Sequence, residues 1–354
     1  MLNKMWLISC AFLLVALILE LPGIQSYVAQ VKQGAAARGG WIERESGLTG
    51  SGPAVAVFAP LGGEPGRAKG ESDEQLLERI REIAAQRRIA PVDARVDRVW
   101  KAIPGYNGLE VDVEKSYLLS RKLKPGEPLR LVMKEIPPAV QLDDLGAYPV
   151  YKGNPNKPMV SLMINVAWGE QYLPKMLQIL ERENVRATFF FDGSWLKKHI
   201  DIAKDIQKRG HELSNHAYSH KNMSQLSRSQ AIDEIVKTQQ LLENELGVRN
   251  ELFAPPSGDY DEETVRIAHE LKLRTILWTL DTVDWKNPEP QSIVRKIAAR
   301  VEPGSLILMH PTASSSEALE GMIREIRKKG LSLGTVSELL SPRRIPEVES
   351  PPVF

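Results

Sequence analysis

The sequence predicts an α/β protein, with a distorted seven-unit (β/α) barrel in the C-terminal half, preceded by a small α+β domain and an N-terminal hydrophobic helix. Three observations carry this expectation. Residues 158–338 alternate short β-rich runs with amphipathic helical patterns, which argues for parallel strands with helices packed outside. That stretch, about 180 residues, is short for a complete eight-unit barrel of about 250. Upstream, residues 73–142 combine one helical stripe with strand-like alternation, and residues 5–19 are almost wholly apolar.

The apolar run at 5–19 follows Lys4 and ends at Glu20 and Pro22, the form of an export signal. Its core of about 15 residues falls between a signal-peptide core and the roughly 17–25 residues of a spanning helix. Residues 1–29 therefore read as a cleaved signal or a membrane anchor. Both place the rest of the chain outside the cytoplasm, in the cell envelope or secreted. Residues 30–72, rich in Gly, Ala and Pro without a period, read as a flexible linker. From the cap residue Ser72, the side chains Leu76, Leu77, Ile80 and Ile83 form one helical stripe. Residues 109–113 and 129–133 read as strands. The 73–142 domain holds no His and reads as a binding or spacer module. Residues 143–157 read as a second linker.

Within the barrel, strands are expected at 159–164, 187–191, 212–214, 251–254, 273–280, 305–309 and 331–335. Helices are expected at about 171–183, 194–209, 228–246, 261–271, 290–301 and 315–329. The Pro-punctuated residues 339–354 read as a disordered tail. With 46 Lys and Arg against 45 Asp and Glu, the chain lacks the basic surplus of a nucleic-acid binder. The single Cys, Cys10, excludes an intramolecular disulfide and a Cys-based zinc site, so a metal would be held by His, Asp or Glu.

Sites in parallel α/β folds collect beyond the carboxyl ends of the strands. The unusual residues lie there: Asn165 to Glu170, His216 and His220, Ala254 to Gly258, Asp281 to Trp285, and His310. The i, i+4 spacing of His216 and His220 on a helical turn suits two ligands of a divalent metal, the alternative being surface or capping histidines. Asp284 and His310 have the form of a carboxylate that orients an imidazole acid/base.

Five ordered motifs, in Val160 to Ile164, Ala187 to Phe191, Gly210 to His220, Phe253 to Gly258, and Trp278 to Trp285 with Ile307 to His310, resemble the polysaccharide deacetylases with a NodB homology domain, carbohydrate esterase family 4. The resemblance implies a NodB-type barrel, hydrolysis of the N-acetyl amide in a glycan, and a divalent metal such as zinc. It implies that His216 and His220 are metal ligands, His310 the general acid and Asp284 its orienting carboxylate. The departures are specific. Asn165 stands at the catalytic base, Val166 at the third metal ligand, and Ala254 at the Arg that orients the base. An Asn amide has no usable proton affinity near neutrality, and Val has no lone pair, so activity and metal binding are expected to be impaired.

Three readings follow. The first is an exported protein that binds N-acetylated cell-wall glycan, peptidoglycan or chitin-like, through Trp168, Tyr218, Pro256 and Trp285. The second is an active metal-dependent deacetylase whose base is rearranged, with Glu170 or Asp192 as substitutes. The third is a structural or interaction protein of the cell or spore envelope, with the barrel as scaffold. The overall layout also resembles the deacetylase-like sporulation proteins of Bacillus-type bacteria.

Overall fold

The computed structural model describes residues 66–345 and the backbone of 55–57. The expected N-terminal helix lies outside the described residues. Within the expected linker, β1 (Val55–Val57) is a strand. Next, α1 (Asp73–Gln86) begins at Ser72, which forms a reciprocal capping box with Gln75. A hairpin of β2 (Arg95–Asp97) and β3 (Lys101–Ile103) follows, then β4 (Gly108–Val111), α2 (Val113–Ser120) and β5 (Val132–Ile136). The sheet β1-β5-β4 is antiparallel. Leu76 and Ile80 of α1 are fully buried in its cluster with Leu109, Val111, Leu129 and Met133.

Residues 143–157, expected as a linker, are stitched to both sides. Val150 bridges Lys101 and Ile276, and Asn154 Nδ2 donates to Pro104 O at 2.8 Å. The small domain and the barrel accordingly belong to one compact unit.

The barrel runs β6 (Met159–Val166), α3 (Leu173–Arg182), β7 (Thr188–Phe191), α4 (Gly193–Leu196), α5 (Ile200–Lys208), β8 (Glu212–Asn215), α6 (Arg228–Leu246), β9 (Leu252–Phe253), α7 (Glu262–Glu270), β10 (Arg274–Thr275), β11 (Leu280–Asp281), α8 (Pro290–Arg300), β12 (Leu306–Met309), α9 (Ala313–Lys328), β13 (Ser332–Gly334) and α10 (Val336–Leu340). All its strand pairs are parallel, in the order β10-β9-β8-β7-β6-β12-β11, with β13 also on β6.

The single strand expected at 273–280 is two strands, and they sit at opposite ends of this sheet. The link from Thr275 to Leu280 reaches at most about 18 Å. A flat sheet of this order would be about 29 Å wide between its edge strands. The sheet must therefore curl until its edges approach, which makes the distorted NodB-type barrel. Leu277 N, bonded to Val150 O at 2.8 Å, and Thr279 N, bonded to Leu306 O at 2.9 Å, seam the gap.

Strand parity fixes the two cores. Val160, Leu162, Ile164 and Val166 of β6 face the helices, in one cluster with Leu173, Met176 and Leu319. Met159 and Met163 face inward with Phe190, Ala254 and Leu308. Asn165 shares this inward parity. The helix expected at 194–209 is broken into α4 and α5, because Asp192 caps a short helix that ends at Leu196. Residues 339–345, expected as the start of a disordered tail, are ordered: Asn107 N donates to Pro342 O at 2.8 Å and Arg344 N to Glu135 Oε2 at 3.1 Å.

Candidate active site

The acid side of the site is fully built. Asp284 is buried and grips His310 twice, its Oδ1 2.8 Å from Nδ1 and its Oδ2 accepting the His310 backbone N–H at 2.7 Å. The bond to Nδ1 fixes the ring so that Nε2 is the working nitrogen. Asp284 reaches this position through a turn flanked by Val283 (φ 58) and Asn287 (φ 52), both left-handed. A β-branched residue is rarely found there. Asp281 Oδ1 holds it by accepting Val283 N–H at 2.7 Å. On the other side of His310, Trp168 stacks at 5.7 Å and 11°.

His216 and His220 also come together, though not on a helical turn. Ala217 (φ 59) and His220 (φ 54) are left-handed, and the loop so formed sets the two rings 5.2 Å apart. Helix α6 holds the loop: Glu234 accepts Tyr218 N at 3.1 Å, Ser219 N at 2.7 Å and Ser219 Oγ at 2.7 Å. Thr238 Oγ1 donates to Ala217 O at 2.7 Å. His216 Nδ1 lies 2.7 Å from Ala254 O, so Nδ1 carries the ring proton and Nε2 keeps its lone pair.

Burial, reinforced by His220, pushes the His216 pKa down to about 3. Burial followed by Arg209 and Arg186 pushes buried His211 down to about 4. Unfolding returns both to an ordinary value near 6.5, so below that pH the unfolded chain binds more protons. Stability is present above about 6.5 and should fall with decreasing pH, by up to about 1.4 kcal/mol per pH unit for each histidine. Urea midpoints at pH 7 and pH 5 check this, and equal midpoints would contradict it.

The base side is different. Asn165 is 3% exposed and its Oδ1 has no hydrogen-bond partner among the described residues. Val166, aligned with a lost ligand, points into the helix-facing core, because it sits one residue out of phase with Asn165 on a fully buried strand. Ala254 is buried in the inner core. Neither substitute carboxylate lines the cavity between the histidines: Glu170 receives Trp195 Nε1 at 3.4 Å, while Asp192 Oδ1 caps α4 and accepts Ser194 Oγ at 2.6 Å, and its buried Oδ2 has no partner among the described residues. Burial holds the Asp192 carboxyl above its ordinary value.

A cavity of about 420 Å³ joins Asn165, Ala167, Trp168, His216, His220, Ser257, Trp278, Asp281, Trp285, Leu308 and His310. Two of the expected aromatic wall residues are there, and Trp168 and Trp285 are 44% and 54% exposed. Tyr218 and Pro256 do not line it. Tyr218 packs on Gly193, where a Cβ would meet its ring carbon at 2.6 Å, and Pro256 is buried. Trp278 and Asp281 do line it. Trp278 enters because its ring lies over Gly258, where a Cβ would approach it to 2.5 Å. The only signal for either in the sequence was position, beside the carboxyl end of a strand.

Among the described residues no three His, Cys, Asp or Glu side chains gather to hold a metal ion. Two imidazoles are fewer than the three protein ligands of a catalytic zinc. The residues present do not fit an ordinary catalytic metal site.

A NodB-type barrel with this histidine and carboxylate arrangement defines a deacetylase-class domain, and the polysaccharide deacetylase family model matches residues 152–276. The chain belongs to this family, carbohydrate esterase family 4, whose activity is hydrolysis of the glycan amide. It is 43% identical over 277 residues to the uncharacterized protein YlxY of Bacillus subtilis (strain 168), covering 77% of this chain and 86% of YlxY. Among solved structures it resembles a wild-type pseudoenzyme of the same family from Bacillus anthracis, at 44% identity and a TM-score of 0.70 over 76% of this chain and 96% of that one. A mutant of that pseudoenzyme with restored enzymatic activity matches at 43% identity with a TM-score of 0.70, over 76% and 99%. A peptidoglycan-N-acetylglucosamine deacetylase of Bacillus cereus is 29% identical over 252 residues, 66% of this chain and 92% of that protein.

Proposed function

We propose that this protein is an exported, envelope-associated member of the family that binds cell-wall glycan of the peptidoglycan type and does not hydrolyse it at the family's ordinary rate. The observation that carries the reading is the one-sided cavity: an oriented acid pair, His310 with Asp284, faces an Asn165 amide instead of a base. General-base assistance is worth about 10²–10⁴-fold. Trp168 and Trp285 supply exposed faces suited to pyranose rings. The peptidoglycan deacetylase of Bacillus cereus and the pseudoenzyme of Bacillus anthracis support the glycan class and the loss of rate respectively. The apolar run at 5–19 supports export, with membrane contact through that segment. The resemblance to deacetylase-like sporulation proteins supports a cell-wall or spore-envelope location.

The test is purified protein with added zinc or cobalt and N-acetylglucosamine oligomers, following released acetate and oligomer binding together. Binding without acetate release is expected. Acetate release that disappears in His310→Ala would overturn the inactive reading and favour a rearranged base.

A further inference from the structure

The cavity is lined by one carboxylate, three imidazoles and three indoles. Its lining contains Asp281 and no Lys or Arg. The family's base-orienting Arg is replaced by Ala254, which is buried in the inner core. Asp284 lies directly behind His310 as a second carboxylate. Lysines flank lining residues without lining the cavity themselves, among them Lys221, whose Nζ pairs with Glu234 Oε1 at 3.4 Å. Lys296 Nζ bonds the carbonyl oxygens of Asp281 at 3.4 Å and Thr282 at 3.3 Å, and Lys286 Nζ lies 4.8 Å from the Trp285 ring centroid.

The hydrogen-bonding character of the wall is equally one-sided. Asp281 Oδ1 takes the Val283 N–H, and its Oδ2 has no partner among the described residues. Asn165 is 3% exposed and lines the same cavity, and its buried Oδ1 has no donor among the described residues. His216 gives its Nδ1 proton to Ala254 O, which leaves Nε2 as an acceptor. A buried acceptor without a donor is uncommon in a folded protein and points to a group that arrives from outside. Three indole rings, Trp168, Trp278 and Trp285, also line it; His310 stacks on Trp168 and the Lys286 ammonium lies over Trp285, and indole is the best of the aromatic faces for a cation.

We propose that this cavity selects glycan carrying a free amino group, the glucosamine left after N-acetyl removal, and holds its ammonium with Asp281 and the tryptophan faces. This rests on the glycan-binding reading above and narrows its ligand. An ammonium brings N–H donors and a positive charge to the Asp281 carboxylate. The N-acetyl group brings one N–H, an acceptor oxygen and no charge. The chain would then recognise the product of a deacetylation reaction carried out elsewhere, and the reaction class upstream of it is amide hydrolysis on the same polymer.

The test compares a glucosamine tetramer with its fully N-acetylated counterpart, titrated into the full-length protein at low salt with tryptophan fluorescence and calorimetry. The free-amine tetramer is expected to bind about tenfold more tightly or better, a preference that weakens at high ionic strength. Asp281→Asn keeps an oxygen to accept the Val283 N–H, and should lose that preference, the two tetramers then binding within about twofold of each other. Equal or tighter binding of the acetylated tetramer overturns the proposal and leaves glycan binding standing. An Asp281→Asn variant that keeps the preference, or that loses both tetramers equally, also overturns it. If neither tetramer binds the parent, the glycan-binding reading itself fails.

Discussion

The triple variant Asn165→Asp, Val166→Asp, Ala254→Arg is expected to bind zinc more tightly than the parent and to release acetate from N-acetylglucosamine oligomers. The structure ranks its three changes. Asn165 already faces the cavity shared by His216, His220 and His310, so a carboxylate there restores a base where one is needed, worth about 10²–10⁴-fold. Val166→Asp places a carboxylate in an apolar core. Without a metal it should lower stability by about 3 kcal/mol or more, since an uncompensated buried charge is among the most damaging changes. To reach the histidines, the end of β6 must turn the residue over. Ala254→Arg needs room in a full inner core and should cost about 1–3 kcal/mol in overpacking. The expected pattern is therefore a metal-free triple variant with a depressed melting temperature that zinc raises. Zinc affinity no better than that of the parent would mean that β6 does not yield.

Gly169→Ala is the second variant with a large expected effect. Gly169 has φ +85°, and a Cβ there would lie 2.0 Å from Pro311 O, the backbone of the residue after His310. The left-handed conformation disfavours Ala by about 1–2 kcal/mol, and the contact with a fixed carbonyl adds to this, for about 3 kcal/mol in all. The loop carrying Trp168 must lift away from His310, and the 5.7 Å stack is lost. The urea midpoint should fall, and Trp168 emission should move toward that of a more solvated indole, with Trp168→Phe as the spectral reference. A midpoint within about 0.5 kcal/mol of the parent would show that the close approach is not enforced.

Much of the barrel was legible because its signals are local. The stripe of α6, closed by Gly247 in the left-handed region, and the burial of Val160 to Ile164 follow from periodicity and capping chemistry. The strand at 273–280 was misread for a reason periodicity cannot reveal. Its eight residues are mostly apolar or β-prone, Leu273, Ile276, Leu277, Trp278 and Leu280 with Arg274, Thr275 and Thr279, and only the closure of the sheet divides them between opposite edges. The hairpin at 95–103 was missed because Val96 and Val99 are exposed, so an apolar pattern there reports no core. The tail at 339–345 gave no local signal either, since its order comes from docking on the small domain.

The candidate site divides in the same way. Residue identity alone determined which groups have proton affinity: His216, His220, His310 and Asp284 are present, and Asn165, Val166 and Ala254 stand where base, ligand and Arg are absent. Tertiary structure decided what those identities mean in space. It turned Val166 out of the cavity by strand parity, packed Tyr218 and Pro256 away from it, and brought in Trp278 and Asp281. A side chain's chemistry belongs to its own atoms and can be read one residue at a time. Its direction is set by the strand it sits on and by the neighbours that strand meets when the sheet curls, and those are long-range contacts.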